Sequence, residues 1–190
     1  MNKVLITGAS GFIGRHVARE YHKKGWKVTG IGHGEFLNWR DHGLSAWIKS
    51  DVTLDSLINL ADQPDVIIHC AGGASVGFSV EQPAADFNLT VCSTSSVLEF
   101  IRLHSPSTRL IYPSSAAVYG QVKPLPILEN IDLNPVSPYG AHKQMSEALC
   151  QLYSKQYGLS IAIVRMFSIY GLELRKQLLW DACKKIKYNQ

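Results

Sequence analysis

Cysteine is scarce: the 190 residues contain only Cys70, Cys92, Cys150 and Cys183, far apart, with no CxxC pair and no Cys/His ligand spacing. That excludes a zinc site and a disulfide scaffold, and it predicts buried free thiols in a reducing cytosol. No apolar run approaches the ~20 residues needed to span a bilayer. The N-terminus runs straight into Val4-Leu5-Ile6 with no leader pattern. A cytoplasmic protein without a membrane partner is expected. Charge of one sign is also thin, since 19 Lys+Arg against 15 Asp+Glu leave a net +4. Apart from Lys184, Lys185 and Lys187, the positive residues are scattered. None forms a run interleaved with aromatics, so nucleic acid is excluded as a partner. Repeats, low-complexity tracts and clear linkers are missing as well.

What is present is a rhythm. Short β-branched runs at Lys3–Thr7, Lys27–Ile31, Ala46–Lys49, Val66–Cys70, Arg109–Tyr112 and Ile161–Arg165 alternate with longer amphipathic segments. Those segments predict helices over Phe12–Lys24, Leu54–Leu60, Ala84–Leu103 and Tyr139–Tyr157, with a last one from Leu174. Such alternation implies βαβ units and an α/β fold, a Rossmann-type doubly wound parallel sheet with helices on both faces. Ile13, Val17 and Tyr21 form one helical stripe; Met145, Ala148, Leu149 and Leu152 form another, and both read as core. Gly25 reads as a C-cap. The stretch Gln121–Pro138, with four prolines, breaks the rhythm. A loop that long in a compact domain is usually functional.

The first strand leads into Thr7-Gly8-Ala9-Ser10-Gly11-Phe12-Ile13-Gly14. Gly8 suits a tight turn, Gly11 a close approach of backbone to pyrophosphate, and Gly14 close helix–sheet packing. The helix N-terminus behind them offers free N–H groups and a positive dipole end to phosphates. An acidic residue usually ends the second strand and holds the adenosine ribose. Here the segment reads Val28-Thr29-Gly30-Ile31-Gly32-His33-Gly34, with no carboxylate before Glu35. An uncharged Gly32 would not repel a 2′-phosphate, and His33 and Arg40 offer donors, which favours NADP over NAD.

Tyr139 and Lys143 stand four residues apart on one helix face. A phenol is a poor base at neutral pH. A neighbouring ammonium would lower its pKa and let it exchange a proton with a carbinol oxygen. Ser114 and Ser115, at the carboxyl end of a strand, offer the hydroxyl that would orient the reacting oxygen.

Together with Asp51-Val52, His69-Cys70-Ala71-Gly72, Ser114 through Gly120, Pro138-Tyr139-Gly140 with Lys143, and Arg165 through Gly171, these motifs resemble the extended short-chain dehydrogenases/reductases, the NAD-dependent epimerase/dehydratase group. The resemblance implies that Ser115, Tyr139 and Lys143 are catalytic, with Lys143 also holding the nicotinamide ribose. It implies cofactor contacts at Gly8, Ser10, Gly11, Phe12, Ile13, Gly14, Asp51, Val52, Ala71, Gly72, Thr90 and Met166, and substrate contacts at Ser75, Ser114, Ser115 and Ser168. No metal is implied. Dehydratases of the group carry an Asp-Glu pair after the catalytic hydroxyl residue; Ala116 and Ala117 stand there instead, which argues against dehydration.

The resemblance further implies an NAD(P)-binding domain over residues 1–171, with 172–190 opening a truncated C-terminal substrate region. It implies a homodimer through a four-helix bundle of Ala84–Leu103 and Tyr139–Tyr157. The expected function is nucleotide-sugar epimerisation through a transient keto-sugar. The alternatives are an NADPH-dependent keto-sugar reductase and a cofactor-binding regulator without turnover.

Overall fold

The computed structural model describes residues 1–59, 63–73, 75–123, 125–175 and 177–188. Leu60, Pro124 and Lys176, which fall within segments discussed above, lie outside them. Six strands, β1 (Lys3–Thr7), β2 (Lys27–Gly32), β3 (Ala46–Lys49), β4 (Val66–His69), β5 (Arg109–Ser115) and β6 (Ile161–Met166), pair in parallel in the order β3-β2-β1-β4-β5-β6. The strand order reverses between β1 and β4, so the carboxyl ends of these two strands open the crevice where such sheets bind ligands.

Alternation along β1 sends Leu5 to one face, with Ile67, Leu98, Ile101 and Leu110, and sends Val4 and Ile6 to the other, with Ala18, Val28 and Ile68. Helix α1 (Phe12–Lys23) covers the second face and ends where Gly25, at φ 77°, takes the left-handed conformation expected of a C-cap residue. Helices α2 (Leu54–Ile58), α3 (Val76–Glu81), α4 (Pro83–Phe87), α5 (Ser93–His104) and α6 (Pro138–Tyr157) follow, and α7 (Gln177–Lys187) comes last. A π-helical turn, Asn88–Cys92, joins α4 to α5. The expected helix over Ala84–Leu103 is thus two α-helical segments with one wider turn between them. Helix α3 had no amphipathic pattern to announce it.

Two expectations need correction. Of the stripe Met145, Ala148, Leu149 and Leu152, Leu149 packs against the core as expected, but Met145 and Leu152 are about half exposed, at 47% and 49%. The buried face carries Gly140, His142, Lys143, Ser146, Glu147 and Cys150 instead. These are small or polar residues, and the polar ones are met by partners on β5, β6, α4 and the π-helical turn, which a hydrophobic stripe does not report. Nor are all four thiols buried, because Cys92 and Cys183 are exposed. Among the described residues no helix is long and apolar enough to cross a membrane, and no His/Cys/Asp/Glu group could hold a metal.

Candidate active site

The turn between β1 and α1 is shaped by exclusion. Gly8 sits at φ 65°, and a Cβ there would lie 2.8 Å from the Ala71 nitrogen. A Cβ on Gly14 would lie 2.4 Å from the Gly8 carbonyl oxygen. Neither neighbour can yield, since both are backbone. Gly8 donates to the Ile31 carbonyl at 2.8 Å, and Gly11 to the Gly8 carbonyl at 2.9 Å, which closes the turn. Gly11 precedes the helix without a side-chain cap, and the first turn of α1 has no acidic residue. The leading N–H groups, those of Phe12, Ile13 and Gly14, therefore face outward beside Ser10, with no negative charge in that turn to repel an anion. This cradle fits a dinucleotide pyrophosphate.

At the end of β2, a Cβ on Gly32 would stand 3.7 Å from the Gly8 Cα and 3.8 Å from the Ser10 hydroxyl, so this position adjoins the cradle. Exposed His33 pairs through Nδ1 with a carboxylate oxygen of Asp51 at 2.8 Å. Arg40, on a 3-10 turn at Trp39–His42, stacks its guanidinium over the Trp39 ring, 4.2 Å from the centroid. Both donors read for a 2′-phosphate are thus engaged within the chain. Val52 packs in the core.

A buried network ties the cradle to the next strand. Thr7 Oγ accepts from the Ala71 N–H at 3.1 Å and lies 2.7 Å from His69 Nδ1. On the other side of the ring, Thr94 Oγ donates to the Thr90 carbonyl, which leaves it to accept from His69 Nε2 at 3.2 Å. His69 is therefore a neutral ring that accepts at Nδ1 and donates at Nε2, and burial presses its pKa down to about 3. Thr90 is buried, its hydroxyl accepting from the Gly73 N–H at 2.8 Å, so it braces the wall of the crevice from behind. The Lys143 ammonium lies 3.6 Å from where a Gly72 Cβ would be. Gly8, Ala71, Gly72 and Lys143 are therefore successive neighbours from the end of β1 to α6.

Helix α6 is seated by Ser137, whose hydroxyl accepts from the Gly140 N–H at 3.2 Å, and by Ser79, which accepts from the Tyr139 N–H at 3.0 Å. A Cβ on Gly140 would lie 2.6 Å from the Ala117 carbonyl oxygen, so glycine lets the helix start close to the end of β5. The half-buried Tyr139 phenol is raised above the ordinary tyrosine pKa by burial; a hydrogen bond with Ser115 works the other way, and the Asp86 charge raises it further. Lys143 donates to the Pro113 carbonyl at 3.0 Å and lies over the Tyr112 ring, and burial lowers its pKa to about 8. The expectation that Lys143 lowers the phenol's pKa is not met in this arrangement, because the ammonium is turned onto the strand carbonyl.

Ser115 faces the crevice: its hydroxyl accepts from the Ala117 N–H at 3.2 Å and meets Tyr139. Ser114, one residue earlier, necessarily points the other way. It is buried and donates to Glu147 at 2.5 Å, so it lies in the core on the side away from Ser115. Met166 pairs beside Ser115 in the sheet. Ser75 is exposed and caps α3, accepting from the Phe78 N–H at 3.2 Å. Ser168 lines a cleft of about 480 Å³ with Tyr170, Leu174 and Trp180, apart from the tyrosine edge.

Sequence reasoning missed two buried pairs. Arg165 clamps Glu147, its closest approach 2.7 Å, and also donates to the Tyr119 hydroxyl and the Glu129 carbonyl. That ties α6, β6 and the proline-containing loop together. His142 Nδ1 lies 2.5 Å from an Asp86 carboxylate oxygen. His142 was visible inside Tyr139-Gly140-Ala141-His142-Lys143, whereas nothing in the sequence joined it to Asp86.

A doubly wound parallel sheet with a glycine cradle at its switch point and Ser115, Tyr139 and Lys143 on the adjoining edge defines a short-chain dehydrogenase/reductase of the extended kind. The chain belongs to the NAD dependent epimerase/dehydratase family, whose model matches residues 4–186. It is 32% identical over 174 residues to a UDP-glucose 4-epimerase of Lactobacillus helveticus, covering 89% of this chain and 52% of that protein. A UDP-glucose 4-epimerase from Brucella ovis, solved with NAD, superposes with a TM-score of 0.81 at 32% identity, covering 94% of this chain and 55% of the other. A UDP-glucuronic acid 4-epimerase from Bacillus cereus, solved with UDP-glucuronic acid and NAD, gives 0.85 at 28% identity, covering 99% and 64%. This chain therefore spans little more than half the length of the relatives it matches.

Proposed function

We propose that this protein is the cofactor-binding and proton-handling part of a nucleotide-sugar epimerase. The succession of neighbours from Gly8 through Ala71 and Gly72 to Lys143 carries this reading, because it lets one dinucleotide reach from the cradle to Tyr139. The pyrophosphate would rest on the N–H groups after Gly11, and Lys143 would hold the nicotinamide ribose. The chemistry the dinucleotide supplies when bound is reversible hydride acceptance. In its phenolate form Tyr139 would take the proton of a sugar hydroxyl as the carbinol carbon gives its hydride to the dinucleotide and becomes a ketone, and would return that proton when the ketone is reduced on the opposite face. Ser115 orients that oxygen. Ala116 and Ala117 supply no acid or base for loss of water.

The uncharged Gly32 beside the cradle favours acceptance of NADP as well as NAD, and it keeps an NADPH-dependent keto-sugar reductase as the second reading. Both dinucleotides should bind, NADP slightly tighter. Residues 1–171 form the cofactor unit in this reading, and Ser168 with the cleft near α7 stands on the substrate side. Met145, Ala148 and Leu152, turned outward on α6, suit a homodimer through paired helices. A cytoplasmic setting agrees with free thiols.

Isothermal titration with NAD and NADP tests the cofactor. Interconversion of UDP-glucose and UDP-galactose tests the chemistry. Tyr139→Phe should lose about 10²–10⁴-fold in turnover with nicotinamide affinity within a few-fold of the parent. A parent chain without nicotinamide affinity, or a Tyr139→Phe variant at full rate, overturns the reading; net consumption of NADPH selects the reductase.

A further inference from the structure

We propose that Asp86, held by His142, is a positioning residue for the Tyr139–Lys143 pair, its half-satisfied buried carboxylate facing the Lys143 ammonium across the Gly72–Gly73 wall. This rests on the assignment of Tyr139 and Lys143 as the proton-handling pair.

Asp86 is wholly buried on α4. A carboxylate can only accept, so His142 Nδ1 is the donor in their 2.5 Å contact. The other carboxylate oxygen, Oδ1, is buried without a hydrogen-bond partner. It occupies the place of a missing side chain, since a Cβ on Gly73 would fall 1.6 Å from it. The Thr90 hydroxyl lies 3.3 Å from that same built position and 3.5 Å from one built on Gly72, beside which the Lys143 ammonium stands at 3.6 Å. The unpartnered oxygen and the ammonium thus flank two consecutive glycines and one hydroxyl.

Leaving a buried carboxylate half satisfied is costly, and the compensation available here is Coulombic. Asp86 meets His142 and acts on Tyr139 and Lys143 of α6, while the other titratable groups that act on Lys143 are Glu147 and Cys150 on α6, His69 at the end of β4 and Cys70 just after it. Burial holds His69 neutral and pushes the Cys70 thiol up to about 12, so neither carries charge near neutral pH. Glu147 is already matched by Arg165. Asp86 keeps one oxygen on His142 and the other without a hydrogen-bond partner, and Lys143 is held by the neutral Pro113 carbonyl, so the two opposite charges are left to offset each other. The Asp86 charge raises the proton affinity of both Lys143 and Tyr139.

Ultraviolet titration of tyrosinate on the 190-residue chain, with the Tyr139→Phe trace subtracted, reads the phenol without substrate or nucleotide. Asp86→Asn should move its midpoint down by about one pH unit. His142→Asn keeps an N–H donor toward Asp86 and leaves the carboxylate in place, so it should move the midpoint by a few tenths at most. Should the amide variant fail to fold, Asp86→Ser removes the charge in less volume and must give the same downward shift. A midpoint unmoved on removal of the charge, or moved equally by His142→Asn, overturns the proposal. Nicotinamide affinity, measured separately on the same samples, reports on the functional reading and not on this one.

Discussion

The glycine turn after β1 keeps its form by leaving side chains out, whereas the tyrosine edge after β5 keeps its form with buried charges. In the turn, Gly8 and Gly14 meet backbone that a methyl group would strike, and no titratable group takes part. At the edge, Glu147, Arg165, Asp86, His142 and Lys143 are packed behind the reacting phenol. Steric constraint is blind to pH and salt; charge is not. One site therefore joins a rigid holder for a phosphate to a tunable holder for a proton.

The sharpest way to break that contrast is at Arg165. Arg165→Met leaves Glu147 buried without its cation and should cost about 3–5 kcal/mol in denaturant unfolding; a cost below about 1 kcal/mol would mean the edge does not depend on the pair. Gly14→Ala should cost about 3 kcal/mol and abolish nicotinamide binding, with the loss unchanged from mildly acid to mildly alkaline pH. A pH-dependent loss would refute the steric account of the turn.

His69, beneath both regions, is the next test. Its folded pKa of about 3 lies below the ordinary 6.5, so between these values the unfolded chain binds more protons. Stability is then fully present above pH 6.5 and falls as pH falls toward 3. His69→Gln should remove on the order of 3 kcal/mol of the parent's loss between neutral pH and about pH 4, as read by thermal or urea unfolding. Lys143 works in the opposite range. Its folded value near 8 lies below 10.5, so unfolding free energy should rise as pH climbs between them. Buried Cys70 and Cys150, near 12 instead of 9, oppose this above pH 9, so the signal is the parent-minus-Lys143→Met difference. A flat difference would place the ammonium outside the core. The smallest effect is expected at exposed His33: His33→Ala should change the NADP-to-NAD affinity ratio by less than about tenfold.

How much was legible in the sequence follows the same division. Five of the six strands fall within a residue of expectation at each end, and the tight turn at Gly8 and the close packing at Gly14 are as expected, because turns and alternation are local properties. The sixth, β5, runs through Ser115 and so turns Ser114 into the core; reading both serines as facing a ligand ignored the two-residue period. Helix α6 was found but its buried face was not. Polar His142 and Glu147 are buried there because distant Asp86 and Arg165 meet them, and a hydrophobic stripe cannot report a partner 56 or 18 residues away. Lys143 was placed, while its present partner, the Pro113 carbonyl, depends on how far β5 extends.

The empty place beside Gly73 sets an order among three positions. Any residue larger than glycine at 73 must evict the Asp86 carboxylate, and an evicted Asp86 strands His142 without its acceptor. Redesign of this wall therefore runs in one direction: a side chain at 73 first calls for a smaller residue at 86, whereas 86 and 142 can each be changed while 73 stays glycine.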